Sequence, residues 1–147
     1  MPYQRAKVGL LLLAAGSATR MGEEKLLMRF GGKTPIAHCA AAFAACDTRF
    51  FSTVITVSAN TRAAAEAAFP AAAVTAGAES RTASVRKGLA ALKDVDVVVI
   101  HDAARCLVTP DVIDASVRCA IDHGSGVAAI PARDTVRFRG GVIDRND

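Results

Sequence analysis

The 147-residue sequence predicts one α/β domain in which a mostly parallel sheet lies between two layers of helices. Three observations carry that prediction. Short β-branched or leucine-rich runs at 8–15, 53–57, 73–75, 95–100 and 127–130 alternate with stretches of helical periodicity. The run at 8–15 is apolar throughout, the pattern of a strand buried on both faces. Polar clusters fall directly after the first, third and fourth runs, at the strand ends where parallel sheets hold ligands. Strands joined through helices imply right-handed crossovers, hence a Rossmann-like three-layer arrangement.

Each element has a local cause. The first strand stops at Gly16. Thr34 caps a helix with Pro35 at its first position, running to about residue 46. The β-branched run 53–57 is a second strand, and Asn60 caps a helix that ends near Phe69, before Pro70. Residues 73–75 form a weak third strand. Thr82 opens a helix to Leu92, with Val85, Leu89 and Leu92 on one stripe. Residues 95–100 are a fourth buried strand, Thr109-Pro110 opens a helix that closes near His123-Gly124, and 127–130 is a fifth strand. Gly140-Gly141 is a turn between 135–138 and a returning segment from Val142, which is expected to be too short to pair along its neighbour.

Composition narrows the function classes. Hydrophobic residues make up 52% and charged residues 22%, and no run approaches the eighteen or so apolar residues of a membrane span. The net charge of +4 is spread along the chain, and with one Tyr and no Trp there is no aromatic–basic interleaving for nucleic acid. Cys39, Cys46, Cys106 and Cys119 form no C-x-x-C pair, which argues against a zinc site or a disulfide framework and for a reducing, cytoplasmic setting. Arg5, Lys7 and the apolar run imitate a secretory signal, but that pattern does not account for Arg20 and Lys25 beyond it.

The chemistry concentrates in three segments. In VGLLLLAAGSATRMGEEK, the small loop Gly16, Ser17, Ala18 and Thr19 leaves backbone N–H groups open to an anion, and Arg20 and Lys25 supply charge beside it. A Walker loop is excluded because Leu27 occupies the first glycine position before Gly32-Lys33-Thr34. The dinucleotide fingerprint fails at Ala18, and Ser58-Ala59-Asn60 stand where an acidic residue would close the second strand. In HDAAR, Asp102 leaves a buried strand where a phosphate-bound Mg²⁺ would sit, and Ala103 and Ala104 let a base or ribose approach the backbone. In GAESRTASVRKGL, a helix N-terminus carries Arg81 and Ser84, with Thr82 as its cap; Ser84 and the backbone near Gly77 suit a pyrimidine edge. His101 orients its loop rather than moving a proton, and His38 and His123 are structural or solvent-facing.

With those segments placed, the chain resembles the 2-C-methyl-D-erythritol 4-phosphate cytidylyltransferases. LLLAAGSATRMG with Lys25, the run Gly77, Arg81, Ser84, Val85, Gly88 and Leu89, HDAAR, AAIPARDTVRF and Asp144-Arg145-Asn146 carry the resemblance. It implies transfer of CMP from CTP to methylerythritol phosphate, with pyrophosphate released. Arg20 and Lys25 would be the catalytic cations. The implied nucleotide contacts are Ala14, Ala15, Gly16, Ser17, Ala18, Thr19, Gly77, Arg81, Ser84 and Ala103. Asp102 would serve Mg²⁺ or another divalent cation and the acceptor, which Arg105, Thr135 and Arg145 would also meet. The resemblance further implies an arm from about residue 132 that reaches into a homodimer partner.

The departures are specific. The Arg20–Lys25 gap is short, KLLMRFGGK is similar to molybdenum-cofactor cytidylyltransferases, Ala18 and Ala78 replace commoner glycines, and Cys106 replaces a proline. Relative to the family, the domain 1–147 is expected to be C-terminally incomplete, to lack a substrate-binding lysine, and to be nearly inactive alone. The alternatives are a cytidylyltransferase for ribitol 5-phosphate, where a bulkier residue than Ala104 is expected, one for the molybdenum cofactor, or a non-catalytic nucleotide-binding module.

Overall fold

The computed structural model describes residues 6–16, 25–131, 136–138 and 140–143. Its centre is β1 (Val8–Ala14), buried at every position. It pairs in parallel with β2 (Phe50–Val57) on one side and β4 (Val97–Asp102) on the other, while β3 (Ala73–Ala76) pairs with β2. The sheet order is therefore β3-β2-β1-β4, and all three pairings are parallel.

Alternation in β1 divides the core. Leu10, Leu12 and Ala14 pack with Ile55, Val57 and with Ile36, Cys39 and Phe43 of α1 (Pro35–Ala45). Leu11, Leu13 and Val54 face the other way, against Val85 and Leu92 around α3 (Arg81–Ala91). Helices α2 (Arg62–Ala68) and α4 (Pro110–His123) contribute Ala65 and Ile113 to the α1 side, which completes three layers. Leu11 seats against Gly88: a Cβ there would stand 2.3 Å from Leu11 Cδ1.

Several termini form as the sequence predicts. Thr34 caps α1 by accepting from Ala37 N–H at 3.3 Å, with Pro35 next. Gly124 closes α4 in the left-handed conformation, φ 85°, its N–H reaching Ala120 O. Others differ. Ser80, not Thr82, caps α3, accepting from Ala83 N–H at 3.1 Å, and Leu89 is exposed while Ser84 and Gly88 are buried. The α2 cap position is Thr61 rather than Asn60, and its hydroxyl serves the core: it donates to Ala14 O at 2.8 Å and accepts from Ser58 N–H. Strand β2 begins three residues early because Phe50 packs edge-on against Phe43, centroids 5.5 Å apart.

The expected fifth strand does not form. Val127 and Ile130 are 86% and 76% exposed, and β4 is the sheet edge among the described residues. Gly126 lies so close to α4 that a Cβ would stand 2.1 Å from Ser116 O, which directs the chain as it leaves that helix. The short return after Gly140 does pair. β5 (Val136–Phe138) and β6 (Gly141–Ile143) form an antiparallel hairpin with three residue pairs, so three residues per side suffice.

Candidate functional site

A cavity of about 670 Å³ opens at the carboxyl ends of β1 and β4 and the N-terminus of α3. It gathers the segments singled out above. Ala15, Gly16 and Lys25 line it from the end of β1, Arg81 and Ser84 from α3, and Asp102, Ala104 and Arg105 from the end of β4. Parallel strands bring them together: Asp102 is the register partner of Leu13, so the β4 end stands beside the β1 end.

Asp102 is the electrostatic centre. Arg81 holds its Oδ1 through Nε and Nη2, both at 3.1 Å, and Arg105 Nε stands 3.3 Å from Oδ2. The backbone N–H of Arg105 donates to Asp102 O at 2.9 Å, which fixes the turn. Both guanidinium side chains are well exposed, 65% and 79%, so these pairs are weak and exchangeable. His101 steadies the same turn. Its Nε2 donates to Arg105 O at 3.1 Å, its ring meets Phe43 edge-on, and burial lowers its pKa, which keeps the imidazole neutral.

The α3 side of the wall sets Ser80 and Ser84 beside the charged Glu79 and Arg81. Ser84, buried on α3, accepts from Ala78 N–H at 2.9 Å and thereby shapes the 77–78 turn. Gly77 is needed there because a Cβ would lie 2.2 Å from Ala15 Cβ. At Gly16 a Cβ would meet nothing within 4 Å, so packing does not explain that glycine. Ala14 and Ala103 are fully buried behind the wall rather than on it: Ala14 O accepts from Thr61, and Ala103 N–H donates to Leu13 O. Ser17, Ala18, Thr19, Arg20, Thr135 and Arg145 lie outside the described residues. Sequence reading missed Leu13, Leu26, Thr56, Glu79 and Ser80 on the cavity wall. Ser80 was legible as a second hydroxyl at the helix start, whereas Thr56 is indistinguishable from an ordinary β-branched strand residue.

Among the described residues, no group of three or more His, Cys, Asp or Glu side chains is placed to hold a metal. Asp102 alone fits an ion bound jointly with ligand phosphates, since Mg²⁺ accepts one or two carboxylates and fills its shell from phosphate and water. Burial, with Cys106 nearby, pushes the Cys39 thiol up to about 12, which leaves it unreactive near neutral pH. Among the described residues, no helix is long and apolar enough to cross a membrane.

Fold and site define a doubly wound α/β domain whose cavity at the strand ends gathers charged side chains beside serine hydroxyls. The chain belongs to the family described as IspD: 2-C-methyl-D-erythritol 4-phosphate cytidylyltransferase, whose model matches residues 8–145. A 2-C-methyl-D-erythritol 4-phosphate cytidylyltransferase of Dehalococcoides mccartyi (strain ATCC BAA-2266 / KCTC 15142 / 195) is 36% identical over 141 residues, covering 92% of this chain and 62% of the relative. A bifunctional enzyme IspD/IspF of Clavibacter michiganensis is 36% identical over 96% of this chain and 38% of its own length. A solved structure of 4-diphosphocytidyl-2C-methyl-D-erythritol synthase matches with a TM-score of 0.74 and 26% identity over 96% of this chain and 70% of that one. The chain thus spans less than two thirds of the length of these two curated relatives.

Proposed function

We propose that this chain carries the nucleotide site of a cytidylyltransferase that moves CMP from CTP to 2-C-methyl-D-erythritol 4-phosphate. The observation that carries the reading is the meeting of Lys25, Arg81, Arg105 and Asp102 with Ser84 in one cavity, in a member of this family. A phosphate oxygen of the acceptor forms a bond to the α-phosphorus of CTP, the α–β bridging bond breaks, and pyrophosphate leaves with its electron pair. The acceptor oxygen is anionic near neutral pH, so no general base is required, which accords with a neutral His101 engaged on Arg105.

The work of the side chains is then positioning and charge stabilisation. Lys25, with Arg20, neutralises charge building on the α-phosphoryl group, and the 16–19 loop holds the triphosphate. Ser84 and the 77–78 turn take the base. Arg81 and Arg105 exchange Asp102 for phosphate oxygens, which frees its carboxylate to hold a divalent cation; that ion, when bound, supplies further charge neutralisation. Arg105, Thr135 and Arg145 receive the acceptor. The hairpin of β5 and β6 supports a further proposal, that an arm beginning near residue 132 joins two copies of the chain. Four free cysteines support a reducing, cytoplasmic setting.

The test is pyrophosphate release with CTP and Mg²⁺ against methylerythritol phosphate, ribitol 5-phosphate and a molybdopterin acceptor. Release dependent on methylerythritol phosphate supports the reading, and release with another acceptor alone overturns it. CTP binding without release from any acceptor would favour a non-catalytic module.

A further inference from the structure

The turn that follows β4 is closed twice, and one closure comes from a side chain outside the cavity wall. Arg105 donates its backbone N–H to Asp102 O at 2.9 Å, and its own carbonyl lies 3.1 Å from His101 Nε2. A carbonyl only accepts, so Nε2 carries the proton in this contact. Both polar groups of the Arg105 main chain are thereby held, which sets the direction in which its side chain leaves the backbone. The His101 ring is held in turn. It meets Phe43 edge-on, centroids 5.3 Å apart, and Phe43 is buried on α1. The same helix reaches the turn a second time, with Cys39 Sγ 3.5 Å from Ala103 O.

We infer that His101 is a positioning residue that acts through Arg105, fixing its main chain so that the guanidinium meets a nucleotide phosphate with less ordering left to do; this rests on the CTP reading above. The Arg105 side chain is 79% exposed, and its contact with Asp102 Oδ2 is one that a phosphate replaces. A long exposed side chain loses rotamer freedom when it binds, which weakens affinity unless part of its path is already set. Its rotors stay free until a ligand arrives, so the backbone is the part that the fold can set beforehand. The position needs two properties at once. A flat apolar ring packs against the Phe43 edge, and a donor at its far side reaches the carbonyl four residues on. Phenylalanine supplies the ring without the donor. Glutamine supplies a donor the same number of bonds from the backbone, without the ring.

The experiment is calorimetry of CTP with Mg²⁺ on the unaltered chain, His101→Phe, His101→Gln, Arg105→Ala and the double variant His101→Phe/Arg105→Ala, with thermal unfolding of each. His101→Phe is expected to weaken CTP about five-fold, the range for ordering one long side chain. His101→Gln keeps the donor and is expected to stay within about two-fold of parental affinity, even where loss of the ring lowers the melting temperature. Arg105→Ala is expected to weaken CTP about ten-fold, the range of one hydrogen bond to a charged group. On that background His101→Phe should change affinity by less than about two-fold, because its effect runs through Arg105. The inference is overturned if His101→Phe binds CTP as the unaltered chain does, weakens it equally without Arg105, or is matched in its loss by His101→Gln. Parental affinity in Arg105→Ala overturns it too, by removing the residue through which His101 acts. Failure of the unaltered chain to bind CTP overturns the CTP reading instead, and that control separates the two outcomes.

Discussion

Gly77→Ala puts a methyl group where the structure has no room. The new Cβ would lie 2.2 Å from Ala15 Cβ and 3.4 Å from Ser84 Oγ. Two methyl carbons in ordinary contact stand roughly 3.5–4.0 Å apart, so the overlap is about 1.5 Å. Neither residue can relieve it by rotating a side chain. Gly77 N–H is tied to Val57 O at 2.9 Å, and Ala15 follows Ala14, whose carbonyl is held by Thr61. The backbone must move. Overpacking of this kind costs about 1–3 kcal/mol, which at this chain length lowers the melting temperature by roughly 2–12 °C. The same displacement separates the β1 loop from the α3 wall, and misplacement by about 1 Å lowers a positioned reaction on the order of 100-fold. Differential scanning calorimetry and a pyrophosphate-release assay read the two effects. Gly16→Ala is the thermal control, since its Cβ meets nothing within 4 Å and its melting temperature should match the parent. A Gly77→Ala protein that unfolds with the parent and turns over at the parental rate would refute the argument.

Other outcomes follow from the same geometry. Lys25→Ala should lower kcat by about two orders of magnitude while CTP affinity moves much less, because a preorganised charge acts on the transition state; near-parental kcat in a protein extended to its relatives' length removes Lys25 from that role. Asp102→Asn breaks the contacts with Arg81 and Arg105, yet those arginines are exposed, so stability should change by less than about 1 kcal/mol while the Mg²⁺ requirement of CTP binding shifts upward. An unchanged Mg²⁺ titration would place the ion elsewhere. Asp114→Asn should cost about 1–3 kcal/mol at pH 7, measured by urea unfolding. Burial opposes the charge of Asp114, but bonds from Thr48 Oγ1 and from the N–H groups of Asp47 and Thr48, with Arg118 nearby, outweigh it and hold its carboxyl below the usual range. A depressed carboxylate stabilises the fold above its unfolded value and ceases to do so as pH falls through the folded value, so the gap between parent and variant should close below about pH 4.

Elements with local causes were legible in the sequence. Thr34-Pro35 and His123-Gly124 mark the ends of helices because capping and left-handed closure depend on a few adjacent residues. The unbroken apolar run of β1 announced a central parallel strand, and the polar clusters after β1 and β4 announced the cavity. What was hidden depends on tertiary contact. Residues 127–130 have the composition of a strand, but Gly126 draws the preceding turn onto Ser116 of α4. The choice between Ser80 and Thr82 as cap is settled by which start turns Ser84 and Gly88 toward the sheet. Thr56 reads as one β-branched residue among several until its burial and missing partner are seen.

Asp102 and Asp114 show how burial assigns different roles to the same side chain. Asp114 is 6% exposed and takes three hydrogen bonds from the 47–48 turn, so removing it strands donors that no water replaces. It ties α4 to the start of β2 and is spent on the fold. Asp102 stands at the rim with partners that are themselves in water, and an exposed guanidinium–carboxylate contact is worth at most about 1 kcal/mol. A triphosphate carries several charges and can bind both arginines at little cost. The contacts with Asp102 therefore hold its carboxylate and both arginines aligned without competing seriously with a phosphate ligand. The same exposure predicts that salt weakens the resting pairs and the phosphate contacts together, so CTP affinity should fall with ionic strength while melting temperature hardly moves.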